Sequence, residues 1–304
     1  MKLMSTAVIA IIAWGSGAFP AQGQSKPDRF AELMRAEDVE GQRALLAEWR
    51  ATDANDPELY VAYFNFYVSE SRSTMLRLDT KPGGEPMLQL QDPDTAVKEP
   101  AGYLYEETVF DREILADGFA YIDSGIARFP QRLDMRFGKI YMHGENKDYE
   151  HFTQEIVRTI DHGAATKYAW LWARNEPLED PENYMYSNVQ SYVHQLFETG
   201  DDALLPYMIR IGEAVIKHDP DNVESLSTIG AVHVMQGDLD KGLIMLLRAE
   251  KVDGKDGIVL GNIAQAYLRK GDTREAISYY ERMLEVGDEE SKAFARAQLK
   301  ELRK

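Results

Sequence analysis

Residues 223–253, VESLSTIGAVHVMQGDLDKGLIMLLRAEKVD, and residues 257–287, GIVLGNIAQAYLRKGDTREAISYYERMLEVG, are two copies of one pattern. At a constant offset of 34 residues Leu226 falls on Leu260, Ile229 on Ile263, Gly237 on Gly271, Asp238 on Asp272, Arg248 on Arg282 and Val252 on Val286. Looser pairs keep size or role, as Gly230 with Ala264, His233 with Tyr267 and Gly242 with Ala276. Within each copy the residues Leu226, Ile229, Gly230, His233, Val234, and then Leu260, Ile263, Ala264, Tyr267, Leu268, follow the spacing of a helix with one buried stripe. A glycine and an aspartate come next, suited to ending one helix and capping another. Asp272 with Glu275, and Asp221 with Glu224, have the spacing of a capping box. A second amphipathic helix then carries Leu239, Gly242, Leu243 and Leu246 in one copy and Ala276, Ile277, Tyr280 and Met283 in the other. Gly230 and Gly242 lie inside helices, where each costs about 1 kcal/mol relative to alanine. Close approach of two helices would offset that cost.

The spacing Leu226, Ile229-Gly230, His233, repeated as Leu260, Ile263-Ala264, Tyr267, resembles the W-x2-L-G-x2-Y core of the tetratricopeptide repeat. Copy length, the Gly-Asp turn and the small residues agree with that family. The tryptophan is missing, His233 replaces the usual tyrosine, and Gly254 or Asp288 stands where the family often has proline. The resemblance implies an all-α, right-handed helical-repeat solenoid, with each two-helix unit buried against its neighbours and the first helices lining a groove for a protein or peptide. By that register the groove positions are Arg132, Met135, Arg136, Lys139 and Met142 in an upstream helix, Gln131–His143. In the last copy they are Ile258, Gly261, Asn262, Gln265 and Arg269. Arg132, Arg136 and Lys139 would make a basic strip able to hold a carboxylate, or would neutralise Asp134 and neighbouring acids.

Weaker copies extend upstream. Tyr192–Glu198 and Ala203–Lys217 read as a helical pair joined at Gly200-Asp201-Asp202. Phe129-Pro130 leads into Met135, Phe137-Gly138, Tyr141 and Gly144, then Tyr149 and Phe152, and Asn55-Asp56-Pro57 opens a helix over Leu59–Val68. The organisation expected is a leader at 1–23, a divergent repeat region at 24–183, and a regular array at 184–304. The array would end in a capping helix, Ser291–Arg303, that buries Phe294, Ala297 and Leu302.

The rhythm breaks at 73–107. Met75–Asp79 and Met87–Gln91 alternate about the turn-rich Lys81–Pro86, which predicts a β-hairpin at about 74–92 with Leu76, Leu78, Leu88 and Leu90 on one face. A loop over Asp92–Pro100 follows. The insertion reads either as a tolerated loop packed on its own stem or as a lid or second contact surface over the groove.

In 304 residues with 44% hydrophobic content there is material for a sizeable core. A net charge of −17 disfavours nucleic-acid and anionic-membrane partners. Lys2, the apolar Leu3–Phe19 and the small-x-small Ala21-Gln22-Gly23 have the layout of a secretory signal peptide, so the expected protein is exported, periplasmic or secreted, without a membrane span once the leader is gone. There is no cysteine, hence no disulfide, thiolate metal site or thiol nucleophile.

No catalytic motif, phosphate loop or metal spacing is found, and no cofactor is implied. His143, His151 and His162 read as surface helix residues, and His194 with Glu198 as an ordinary i,i+4 pair. Two functional readings stand. One is an exported, non-catalytic scaffold that binds a protein or peptide along the first helices. The other is an enzyme or carbohydrate-binding protein on a helical scaffold, its pocket built from the insertion and from the aromatic runs Tyr60, Tyr63, Phe64, Phe66, Tyr67 and Tyr168–Trp172.

Overall fold

The structure, a computed structural model, describes residues 24–81, 86–91 and 100–304. The leader at 1–23, the turn residues 82–85 and the loop residues 92–99 lie outside the described residues. The chain forms two compact units: residues 1–147 with 171–177, and residues 148–170 with 178–304. The division expected at 183/184 instead falls inside a helix that starts at Pro181. In sequence the two units meet at 147/148, 170/171 and 177/178.

The second unit is all-helical and holds the two matched copies, each an antiparallel pair of helices. Its helices are α6 (Tyr149–Ala165), α7 (Pro181–Glu198), α8 (Leu205–His218), α9 (Val223–Met235), α10 (Leu239–Val252), α11 (Gly257–Lys270), α12 (Thr273–Val286) and α13 (Glu289–Leu302). One buried cluster joins Leu226 of α9 to Leu246 and Ala249 of α10 and to Val259 and Ile263 of α11. The next joins Leu260 to Tyr280 and Met283 of α12 and to Ala295 and Leu299 of α13. Adding 34 to Leu226, Leu246 and Ala249 gives Leu260, Tyr280 and Met283, so the two copies bury equivalent positions in adjoining units.

Local chemistry punctuates these helices as the pattern requires. Gly237 and Gly271 take φ of +85° and +86°, where a side chain would strain the backbone. Asp238 accepts from the Lys241 N–H and Asp272 from the Glu275 N–H. The upstream cap is Asn222, accepting from Ser225, not Asp221. Gly230 and Gly242 face each other across α9 and α10: a Cβ on either would come within 3.0 Å of the other's carbonyl oxygen. The capping helix buries Ala295 and Leu299, while Phe294 and Ala297 are exposed and Leu302 is half-buried. The stripe is turned by about one residue because Ser291, Ala295 and Leu299, spaced by four, meet the array.

The first unit packs α1 (Lys26–Arg35), α2 (Val39–Thr52), α3 (Pro57–Ser71), α4 (Arg112–Arg128) and α5 (Leu133–Glu145). Phe30, Leu45, Trp49 and Phe66 fill one cluster; Val61, Phe64, Leu115, Ile122, Met135 and Met142 fill another. Asp56 caps α3 ahead of Pro57, and Asp111 caps α4. Between α3 and α4 stands an antiparallel sheet of β1 (Arg72–Asp79), β2 (Met87–Leu90) and β3 (Gly102–Phe110), in the order β1-β3-β2. The expected inserted β-structure is present with a different pairing. The two anticipated hairpin arms are the edge strands, and both pair with β3. The alternation in β1 and β2 is plain, but β3 carries aromatics and acids on both faces and gives no period-2 signal. Register places Leu76, Leu78, Leu88 and Leu90 on one face with Leu104, and the first three are more than 60% exposed.

Candidate functional site: a cleft at the root of the sheet

The insertion is anchored where α3 runs into β1 and β3 into α4. Arg72 pairs with Phe110 in the sheet register, and the Asp111 N–H donates to the Ser71 carbonyl at 2.7 Å. That neck forms one wall of a cleft of about 390 Å³, with α1, α3 and α5 as the others. The floor is apolar: Phe64 and Val68 of α3, Phe110 of β3 and Met142 of α5, with Met34 of α1 beside them. Arg35, Glu37, Ser69, Arg72 and Glu145 stand at the mouth and are exposed.

The mouth is not electrically symmetric. Burial pushes the Tyr141 hydroxyl up to about 12, and the adjacent Glu145 carboxylate, to which it donates, adds to the shift. Glu145 is thereby engaged by Tyr141 while staying exposed at the mouth. Arg35 and Arg72 form no ion pair among the described residues; they share the mouth with Glu37, and Arg72 acts on the Tyr141 hydroxyl against Glu145. An apolar floor with a few polar groups at the rim is the usual build of a ligand pocket. Here it suits a large apolar side chain carried next to an acidic group.

Of the residues expected to line a groove, Met142 is in this cleft; the basic strip is not a ligand surface. Arg132 is 1% exposed and gives Nε and Nη2 to the two oxygens of Asp134 at 2.8 and 2.7 Å, and Nη1 to Glu58 at 2.8 Å. Burial opposes charge on Arg132, and the two carboxylates outweigh it. Arg136 is buried and donates to the Pro130 carbonyl, Lys139 is buried against Asp123 at 2.6 Å, and Met135 is fully enclosed. The reason is tertiary. Residues 171–177 return to this unit and cover the start of α5: Leu171 exchanges backbone bonds with Gln131 and Leu133, Ala173 packs on the Met135 cluster, and the Arg174 N–H donates to Glu58.

In the last copy the candidates bind their own scaffold. Asn262 donates to the Ser227 hydroxyl, Gln265 to Tyr280 and Arg269 to the Val234 carbonyl; Ile258 is 68% exposed and Gly261 is buried. Two of these bonds span 35 residues, so they tie α11 to the preceding copy. Among the histidines, His143 is buried and stacked on Phe119 at 4.3 Å, which corrects its surface assignment, while His194 and Glu198 form the ordinary pair at 3.8 Å. Phe64 and Val68 lie in the aromatic helix that stands out in the sequence. Arg35, Arg72 and Phe110 carried no signal, because their proximity depends on where the insertion leaves the helices.

No helix among the described residues is long and apolar enough to cross a membrane. No family model matches the chain, and no curated protein matches it. Among solved structures the chain is similar to the Yersinia enterocolitica type III secretion chaperone SycD in complex with a peptide of the translocator YopD, at 16% identity over 39% of this chain and 92% of that one, with a TM-score of 0.35. It is similar to YrrB, a TPR protein with an unusual peptide-binding site, at 12% identity over 83% of this chain and 97% of that one, TM-score 0.40. It is also similar to the C-terminal part of a TPR repeat-containing protein from Cytophaga hutchinsonii, at 13% identity over 84% of this chain and 77% of that one, TM-score 0.41.

Proposed function

We propose that the protein is an exported, non-catalytic scaffold that binds a protein or peptide, and that the cleft at the root of the sheet takes a segment presenting a large apolar side chain beside a carboxylate. The observation that carries this is the cleft itself: about 390 Å³ over Phe64, Val68, Phe110 and Met142, with Arg35 and Arg72 at its mouth and unpaired among the described residues. The apolar side chain gains burial, roughly 25 cal/mol per Å² removed from water. The arginines offer paired, charge-assisted hydrogen bonds to the acid. Export rests on the layout of residues 1–23 and is checked separately, by fractionating cells and sequencing the mature amino terminus, expected near Gln24.

A random peptide library selected against the whole chain tests the cleft, followed by fluorescence anisotropy of the selected peptides. Thr108, an exposed residue of β3, also lines the cleft, so Thr108→Trp fills it, and Arg72→Glu reverses the charge at the mouth. Each is expected to weaken the selected peptides at least tenfold, with the melting temperature held. Peptides that bind both variants as tightly as wild type place the binding elsewhere and reject the cleft.

A further inference from the structure

A second pocket lies on a different stripe of α3, facing α2 and α4 and separate from the cleft. Its volume is about 240 Å³, and Leu59, Tyr60, Tyr63, Tyr121 and Ser124 line it with Arg50 and Arg128. No acidic side chain lines it, in a protein with 51 aspartates and glutamates against 34 lysines and arginines. Both guanidinium groups are held by neutral partners. Arg50 Nη1 donates to the Tyr121 hydroxyl at 3.1 Å, and Arg128 Nη1 donates to the Asn55 side-chain oxygen at 2.9 Å. Arg128 also lies over the Tyr60 ring, 5.7 Å from its centroid. Neither has a carboxylate partner among the described residues.

The aromatic side of the pocket is pre-set. Tyr63 and Tyr121 stack at 4.0 Å with an interplanar angle of 7°, and Tyr67 continues the stack on Tyr121 at 5.6 Å. Tyr60 is fixed by donating to the Ala54 carbonyl at 3.0 Å. Rings that cannot turn away offer flat apolar area at small entropic cost. The chain's other described arginines in comparable helix surfaces, such as Arg43, Arg158 and Arg210, are neutralised by glutamates. Arg50 and Arg128 converge on one concavity without such neutralisation.

We propose that this pocket is an anion site for a carboxylate or phosphate group carried on a small aromatic or apolar stem. The stem lies against Tyr60, Tyr63 and Leu59. The anion takes guanidinium N–H groups from Arg50 and Arg128, whose bonds to Tyr121 and Asn55 hold the forks in place. The Ser124 hydroxyl at the edge donates to the Ala120 carbonyl at 2.9 Å, so the two arginines carry the anion. A pocket of this size accepts a single ring or one terminal side chain, not an extended chain.

Titration calorimetry on the whole chain with benzoate, phenyl phosphate, inorganic phosphate and neutral benzyl alcohol tests this and separates the two anion sources. Tyrosine ring resonances followed by NMR report where the probe sits. Benzoate or phenyl phosphate is expected to saturate one site and shift the Tyr63 and Tyr121 signals, with benzyl alcohol at least tenfold weaker. Arg50→Gln and Arg128→Gln, which keep a donor for the neutral partners, are each expected to weaken the better anion about tenfold at an unchanged melting temperature. The proposal is overturned if neither aromatic anion saturates, or if both glutamine variants bind as wild type does. Thr108→Trp must leave this binding intact, so the outcome is independent of the cleft.

Discussion

Arg132 shows how one residue can be read correctly as a cation and wrongly as a surface. Its spacing from Arg136 and Lys139 is helical, and its partner Asp134 is two residues away, so both a binding strip and internal neutralisation were open to it. Closure of residues 171–177 over the start of α5, together with Glu58 of α3, decides the matter in favour of an internal network. Removing one member of a buried ion network leaves its partners charged and dry. Arg132→Ala is expected to destabilise the first unit by about 3–5 kcal/mol, read from urea unfolding followed through Trp49, which lies in that unit. A loss below about 1 kcal/mol would mean that Glu58 and Asp134 are hydrated in its absence. Glu58 was legible in the sequence only as an acid in the first turn of a helix; nothing in its spacing pointed 74 residues ahead to Arg132.

At the scale of elements, the helix pairs of the second unit are the best-determined part of the chain. The 34-residue offset, the Gly-Asp turns and the small residues each predict the same pairing, and the buried clusters repeat at that offset. The interior glycines supply the check. A Cβ at Gly230 would meet Leu246 Cγ at 2.6 Å, and one at Gly242 would meet Val234 Cγ2 at 2.5 Å. Gly230→Ala and Gly242→Ala therefore force α9 and α10 apart, at an expected cost of about 1–3 kcal/mol each, against the gain of about 1 kcal/mol that helix propensity alone would give. Differential scanning calorimetry of the two variants decides the sign, and a rise in the transition temperature would show that the interface yields without cost. The strand insertion was legible as β-structure and not as a topology. Alternation identifies β1 and β2, but it does not say that a third strand, with acids and aromatics on both faces, lies between them.

For the molecule as a whole, alkaline pH acts on both units in the same direction. Burial raises Tyr141 in the first unit, and Tyr279 and Tyr280 in the second, each to about 12. A group whose folded pKa exceeds its unfolded value near 10 contributes stability that is complete below the unfolded value and disappears as pH climbs through the folded one. Melting temperature is thus expected to hold up to about pH 10 and to fall between about pH 10 and 12. Tyr280→Phe should flatten that fall; an equally steep decline in the variant would assign the loss to other groups. The sequence by itself determined the helical-repeat character, the register of the last two copies, their Gly-Asp turns with the caps Asp238 and Asp272, and the presence of an insertion. All of these rest on patterns closed within one repeat length, where period and turn chemistry act locally. Only the tertiary structure decided which faces stay open: that a returning segment seals α5, that β3 lies between the presumed hairpin arms, and that Arg35, Arg72 and Phe110 meet over Phe64 in one cleft. Exposure is a property of what packs on a face, and the covering groups come from parts of the chain whose spacing carries no trace of the contact.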